Sequence, residues 1–105
     1  MLRTVAETAV FSRYAAEIWS GSERMEFISW IASHPDAGAV IPGSGGCRKV
    51  RWTKRGRGKR GGVRVIYFCA RDDVIWLLMV YAKSAFDKLP TAFLSELKKG
   101  IEDVL

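Results

Sequence analysis

Apolar positions change period along the chain, and each change marks an element boundary. Residues 2–6, Leu-Arg-Thr-Val-Ala, alternate weakly and read as a short opening strand, ending where Thr8 offers a helix N-cap. From Ala9 to Trp19 the residues Phe11, Tyr14, Ala15 and Ile18 follow the spacing i, i+3, i+4, i+7, one stripe of a helix turned toward a core. Ser20-Gly21-Ser22-Glu23 interrupts that stripe and supplies a Ser-x-x-Glu capping box for a second helix. This helix carries Met25, Phe27, Ile28, Trp30 and Ile31 and ends near His34-Pro35. Asp36 to Gly46, rich in Gly, Pro and Ala, reads as a loop.

From Cys47 the period drops to two. Val50 and Trp52 share one side of an extended segment, Lys49 and Arg51 the other. Residues 53–62, Thr-Lys-Arg-Gly-Arg-Gly-Lys-Arg-Gly-Gly, hold no apolar side chain and predict an exposed connection. Val63 to Ala70 and Val74 to Tyr81 are nearly continuous in apolar, β-branched and aromatic residues and predict adjacent central strands. Arg71-Asp72-Asp73 between them is a turn of hairpin length. A last amphipathic helix spans roughly Thr91 to Val104. The order β-α-α-β-β-β-α argues for an α+β fold, a twisted antiparallel sheet with helices on one face.

At 105 residues the chain has enough surface to bury one core, so residues 1–105 read as a single domain. An apolar content of 49% is too high for a disordered polycation. No apolar run approaches the roughly 20 residues that span a bilayer, and no secretory leader is apparent, so the expected location is the cytoplasm without membrane attachment. Cys47 and Cys69 stand in no metal-ligand spacing and predict buried, reduced thiols rather than a zinc site.

Charge sharpens the picture more than composition does. Ten of the 17 Lys and Arg residues fall between Arg48 and Arg71, a stretch without one carboxylate, while the other seven share the rest of the chain with all 11 acidic residues. Interleaved glycines let backbone approach a ligand closely, and the cations neutralise phosphate, so this segment is expected to bind a polyanion. There is no GxxxxGK[ST] loop or dinucleotide fingerprint, which disfavours ATP and NAD; no cofactor and no metal is expected. Strand alternation places Lys49 and Arg51 together, and a neighbouring strand can set Arg64 beside them. RNA brings its own nucleophile, the 2′-hydroxyl, so aligned cations supply much of the chemistry of its cleavage. The only histidine, His34, sits at a helix end far in sequence from this segment. Trp52, Tyr67 and Tyr81 are the candidate platforms for bases, with packing in the core the favoured alternative for Trp52 and Tyr67, while Trp19, Trp30 and Trp76 belong to apolar patterns that read as core.

Three stretches together resemble a known family: residues 45–51, Gly-Gly-Cys-Arg-Lys-Val-Arg; residues 56–68, Gly-Arg-Gly-Lys-Arg-Gly-Gly-Val-Arg-Val-Ile-Tyr-Phe; and residues 77–83, Leu-Leu-Met-Val-Tyr-Ala-Lys. They are similar to the HigB branch of the RelE/ParE toxins, over nearly the whole chain. The resemblance implies the toxin of a type II toxin-antitoxin pair, a ribosome-dependent endoribonuclease that cleaves mRNA in the ribosomal A site. Its implied partner is a helix-turn-helix antitoxin. By position, Lys49, Arg51, Arg64 and Lys83 are the implied holders of the scissile phosphate. Lys49 is the expected proton acceptor, and Tyr81 or Lys83 the donor. Arg48, Lys54, Arg55, Arg57, Lys59, Arg60 and Tyr67 are the expected contacts to RNA and ribosome. Ser84 follows Lys83 where many RelE-type sequences carry an arginine, and no Tyr or His lies beyond Tyr81. Two other readings stay open: a ParE-like inhibitor that binds DNA gyrase without cutting nucleic acid, and a non-toxic RNA-binding module.

Overall fold

In the computed structural model, which describes residues 2–53, 62–82 and 91–104, both sequence-marked helix starts carry their caps. The Thr8 hydroxyl accepts the Phe11 N–H at 3.1 Å and opens α1 (Ala9–Ile18). The Ser20 hydroxyl accepts the Glu23 N–H at 3.2 Å while the Glu23 carboxylate accepts the Ser20 N–H at 3.0 Å, a closed box at the head of α2 (Gly21–Ala32). Each such cap satisfies amide groups that the helix itself leaves open and is worth about 1 kcal/mol. At the far end of α2 the His34 ring stacks on Trp30 with centroids 4.7 Å apart, and its Nδ1 lies 2.8 Å from the Trp30 carbonyl oxygen. The histidine finishes the helix.

Five strands form one sheet: β1 (Thr4–Glu7), β2 (Ala39–Val40), β3 (Arg48–Trp52), β4 (Val63–Cys69) and β5 (Val74–Ala82), in the order β1-β5-β4-β3-β2. α3 (Thr91–Val104) completes the described chain. The strands from β2 to β5 pair antiparallel, whereas β1 runs parallel to β5, with Thr4 opposite Val74 and Glu7 opposite Leu77. The sheet is therefore mixed, not wholly antiparallel, and it gains the two-residue β2 from a segment expected to be loop. Asp73 turns the β4–β5 hairpin at φ 65°, in the left-handed region that Asp tolerates better than most residues, and its carboxylate accepts a 3.0 Å bond from Arg3.

The two faces of the sheet are covered by different helices. Val50, Val63, Val65, Tyr67 and Val80 pack against Phe11, Ala15, Phe27 and Ile31 of α1 and α2. Their neighbours Ile66, Met79 and Tyr81, which alternation turns the other way, pack with Leu94 and Leu97 of α3. The expectation of helices on one face thus holds for the hairpin α1–α2 and fails for α3. Amphipathic patterning shows that a helix has an apolar side but not which face of a sheet receives it. A bulge separates the halves of β5: Ile66 opposes Met79 and Tyr67 opposes Leu77, so Leu78 is extra, and both Leu78 and Met79 join the α3 side. Among the described residues no helix is long and apolar enough to cross a membrane. Cys47 is buried, Cys69 half-buried, and both are free thiols.

Candidate active site

Register decides which of the cations meet. Arg51 of β3 lies directly opposite Arg64 of β4, and Arg64 lies directly opposite Tyr81 of β5. Directly opposed residues point to the same face with Cβ atoms roughly 5 Å apart, so the three side chains form one rung across three strands. Lys49, opposite Ile66, stands two residues along β3 on the same face, about 7 Å from Arg51 by strand rise. Four of the five side chains expected to be catalytic are thereby brought together. The fifth, Lys83, lies outside the described residues, as do Lys54, Arg55, Arg57, Lys59 and Arg60.

Two like charges directly across a ladder repel, and no acidic side chain among the described residues is paired with Lys49, Arg51 or Arg64. Arg64 is half-buried, and its Nη1 has neither solvent nor a hydrogen-bond acceptor among the described residues. Leaving a charged donor so placed costs free energy that an incoming anion would return.

Gly62, immediately before β4, lies close against the same two arginines. A Cβ built on it would meet three atoms first: Arg64 Nη1 at 3.4 Å, Thr53 Oγ1 at 3.6 Å and Arg51 Nε at 3.7 Å. Sequence reasoning counted Gly62 among several glycines that let backbone approach a ligand and Thr53 only as the start of an exposed connection. One stood in a run of glycines and the other at the border of a polar loop, and only strand pairing carries them to the two arginines.

Tyr81 is 4% exposed, tucked between the rung and the α3 cluster. Burial pushes its hydroxyl above the usual tyrosine range, and the Arg64 charge draws it part of the way back. A phenol so placed stays protonated at neutral pH and is able to give a proton.

Two expected contacts are placed elsewhere. Tyr67 has no exposed surface, its hydroxyl accepts the Gly38 N–H and donates to the Pro35 carbonyl, both at 2.8 Å, and it belongs to the α1–α2 core. It presents no ring face to a base. Arg48, which alternation turns away from Lys49 and Arg51, donates through Nη1 to the Gly38 carbonyl at 2.7 Å and lies 3.7 Å from the Asp36 carboxylate. Both pin the Pro35–Gly38 segment to the sheet. Trp52 packs among Phe27 and Trp30, with centroids 5.3 and 5.0 Å away, as a core neighbour rather than an open platform.

No family model matches the sequence. Among solved structures, the fold is similar to that of the E. coli toxin RelE in its free state, in a form carrying two arginine-to-alanine substitutions. The likeness has a TM-score of 0.59, covers 100% of both chains and comes with 14% sequence identity. At that identity the shared property is the fold.

Proposed function

We propose that this chain, a single domain of RelE-like fold, is the toxin of a type II toxin-antitoxin pair and a metal-independent endoribonuclease acting in the cytoplasm. The observation that carries the reading is the Arg51–Arg64–Tyr81 rung, two unpaired-by-acid guanidiniums and a protonated phenol on one face. The fold similarity and the HigB-like stretches support a finer reading, with mRNA in the ribosomal A site as substrate and a helix-turn-helix antitoxin as partner.

The proposed reaction uses the 2′-hydroxyl of the RNA as nucleophile. Its oxygen forms a bond to phosphorus as the bond from phosphorus to the 5′-oxygen breaks, leaving a 2′,3′-cyclic phosphate and a free 5′-hydroxyl. Arg51 and Arg64 stabilise the extra negative charge of the phosphorane, which grows in the transition state and rewards donors already in place. In this scheme Lys49 assists removal of the 2′ proton, and Tyr81 protonates the departing 5′-oxygen. With cations supplying charge stabilisation, the scheme needs no metal ion.

Arg64→Ala tests it. Ribosome-dependent mRNA cleavage in a cell-free translation reaction is expected to fall about 10²-fold or more, with the circular dichroism spectrum unchanged. Cleavage at the parental rate would remove Arg51–Arg64–Tyr81 as the active site. Intact translation with failed DNA supercoiling would transfer the chain to the gyrase-binding reading.

A further inference from the structure

We infer that Lys98 of α3 binds the backbone phosphate two nucleotides 5′ of the scissile bond, making the site a track for single-stranded RNA that runs along β3 from the rung to α3. The inference rests on the proposed nuclease function for its direction and adds a contact which that function does not contain.

Lys98 follows Leu97, which packs with Leu94 on the sheet face of Ile66 and Tyr81. Its Nζ stands 4.8 Å from the centroid of the Phe68 ring. Phe68 joins the α3 cluster beside Ile66, and alternation along β4 turns Arg64 to the same face. That face carries a cation at each of three successive levels: Arg51 opposite Arg64, Lys49 opposite Ile66, and the Lys98 ammonium over Phe68. Each level is two residues, roughly 7 Å, from the next. Lys98 brings charge to the level at which the chain entering β3 has only the buried Cys47. Burial holds the Cys47 thiol above its ordinary value, while the hydrogen bond to Ser44 and then the Lys98 charge draw it partly back, so the ammonium acts at that level.

The pitch of this row suits RNA. A nucleotide and a dipeptide contain the same number of backbone bonds, so an extended chain of either advances by a similar step. Cations on alternate residues of a strand therefore repeat at about the spacing of successive phosphates in an extended single strand, and grooves for single strands follow the backbone in this way. With the scissile phosphate on Arg51 and Arg64, the next falls at Lys49 and the one after it at Lys98.

Direction follows from the roles proposed for Lys49 and Tyr81. The 2′-hydroxyl on which Lys49 acts belongs to the nucleoside 5′ of the scissile phosphate, and the oxygen that Tyr81 protonates belongs to the nucleoside 3′ of it. Lys49 lies on the way to Lys98, whereas Tyr81 lies across β4 from Arg51. The 5′ part of the RNA thus leaves over Lys49 and passes Lys98.

The lysine is held in place before any RNA arrives. Phe68 offers its ring to the ammonium as a cation–π partner. The turn at Gly45 and Gly46, with φ 76° and 104° in the left-handed region that glycine tolerates, closes against Lys98 so nearly that a Cβ on Gly45 would lie 3.1 Å from Nζ. A side chain ordered in advance loses less rotamer freedom on binding.

Two measurements test the track. Fluorescence anisotropy of a labelled oligodeoxyuridine about ten nucleotides long, uncleavable for want of the 2′-hydroxyl, reads binding alone. Lys98→Gln should bind it about tenfold more weakly at low salt and reduce the slope of log affinity against log salt by about 0.7, one phosphate contact. Lys98→Arg keeps the charge and should bind like the parent, as should Lys99→Gln, which removes the exposed lysine next along the helix. The second measurement is ribosome-dependent cleavage of mRNA in which the phosphate two nucleotides 5′ of the cut is replaced by a neutral methylphosphonate. On native mRNA, Lys98→Gln should raise KM about tenfold with kcat kept, a loss of binding that substrate and transition state share. On the methylphosphonate mRNA the same substitution should cost nothing further, and the ribosome's own need for that phosphate cancels in the comparison. An equal loss of binding in Lys99→Gln, a Lys98→Gln penalty that persists on the methylphosphonate mRNA, or one cancelled instead by a methylphosphonate 3′ of the cut overturns the inference. Weaker oligonucleotide binding by Lys98→Gln with no cleavage by the parent keeps the phosphate contact and sinks the nuclease reading, and cleavage untouched by Lys98→Gln does the reverse.

Discussion

The Tyr67 hydroxyl accepts from Gly38 and donates to Pro35, and the ring closes over Gly38 so tightly that a Cβ there would lie 2.9 Å from both Tyr67 Cε1 and the Lys49 carbonyl oxygen. Tyr67→Phe keeps the ring and strands two backbone groups, one of them buried. The expected cost is about 2 kcal/mol, read as a fall in Tm of roughly 8–16 °C for a domain this size, with RNA affinity at low temperature unchanged. A loss of RNA affinity without a loss of Tm would return Tyr67 to the binding surface. Alternation in β3 made Lys49 and Arg51 legible from the sequence because their neighbours Val50 and Trp52 are apolar. The same rule had nothing to say about Tyr67, since the run from Val63 to Ala70 is apolar at nearly every position and is covered on both faces. The arginines of the site were readable, whereas the groups that shape it, Gly62 and Thr53, carry no periodic signal.

Among the elements, the bulge in β5 explains how the rung reaches its geometry. The extra residue at Leu78 lets two successive side chains, Leu78 and Met79, face α3, after which Val80 returns to the α1–α2 core and Tyr81 to the side of Arg64. Breaking a ladder frees carbonyl groups, and Thr8 takes them up: its N–H bonds the Leu77 carbonyl at 3.1 Å and its hydroxyl reaches the Leu77 and Leu78 carbonyls at 3.0 and 3.3 Å. One threonine therefore caps α1 and secures the bulge. Thr8→Val should cost about 2 kcal/mol, the upper part of the usual range for a cap, because the bulge carbonyls lose a donor as well. Urea unfolding is the measurement, and a cost under about 0.5 kcal/mol would show the bulge to be held by other contacts. The Thr8 cap was legible in the sequence. Its second task was not, because the bulge lies inside a continuous apolar run that shows no break in alternation.

At the scale of the whole molecule, burial makes stability one-sided in pH. Cys47 and Cys69 are held above the ordinary thiol value of 9.0, and Tyr67 and Tyr81 above the ordinary tyrosine value of 10.0, in each case first by burial. The folded state thus favours the protonated forms, and the unfolded chain gives up these protons sooner as pH rises. The stability they contribute is full below about pH 9 and drains away through the higher folded values. Thermal melts under reducing conditions should show Tm level between pH 7 and 8 and declining above about 9; a level Tm to pH 11 would contradict the burial of these groups.

The parallel pairing of β1 with β5 carries a consequence for the order in which the molecule comes into being. Residues 4–7 are synthesised before their partners, residues 74–77, which follow some seventy positions later. Until then the opening strand has no edge to join, and the rung exists only in fragments, one side chain on each of three strands. Pairing across so long a stretch of chain is slow and all-or-none. A nascent chain stopped before β5 would hold Lys49, Arg51 and Arg64 and still lack Tyr81 and the strand that aligns it, so the rung is complete only once β5 has joined the sheet.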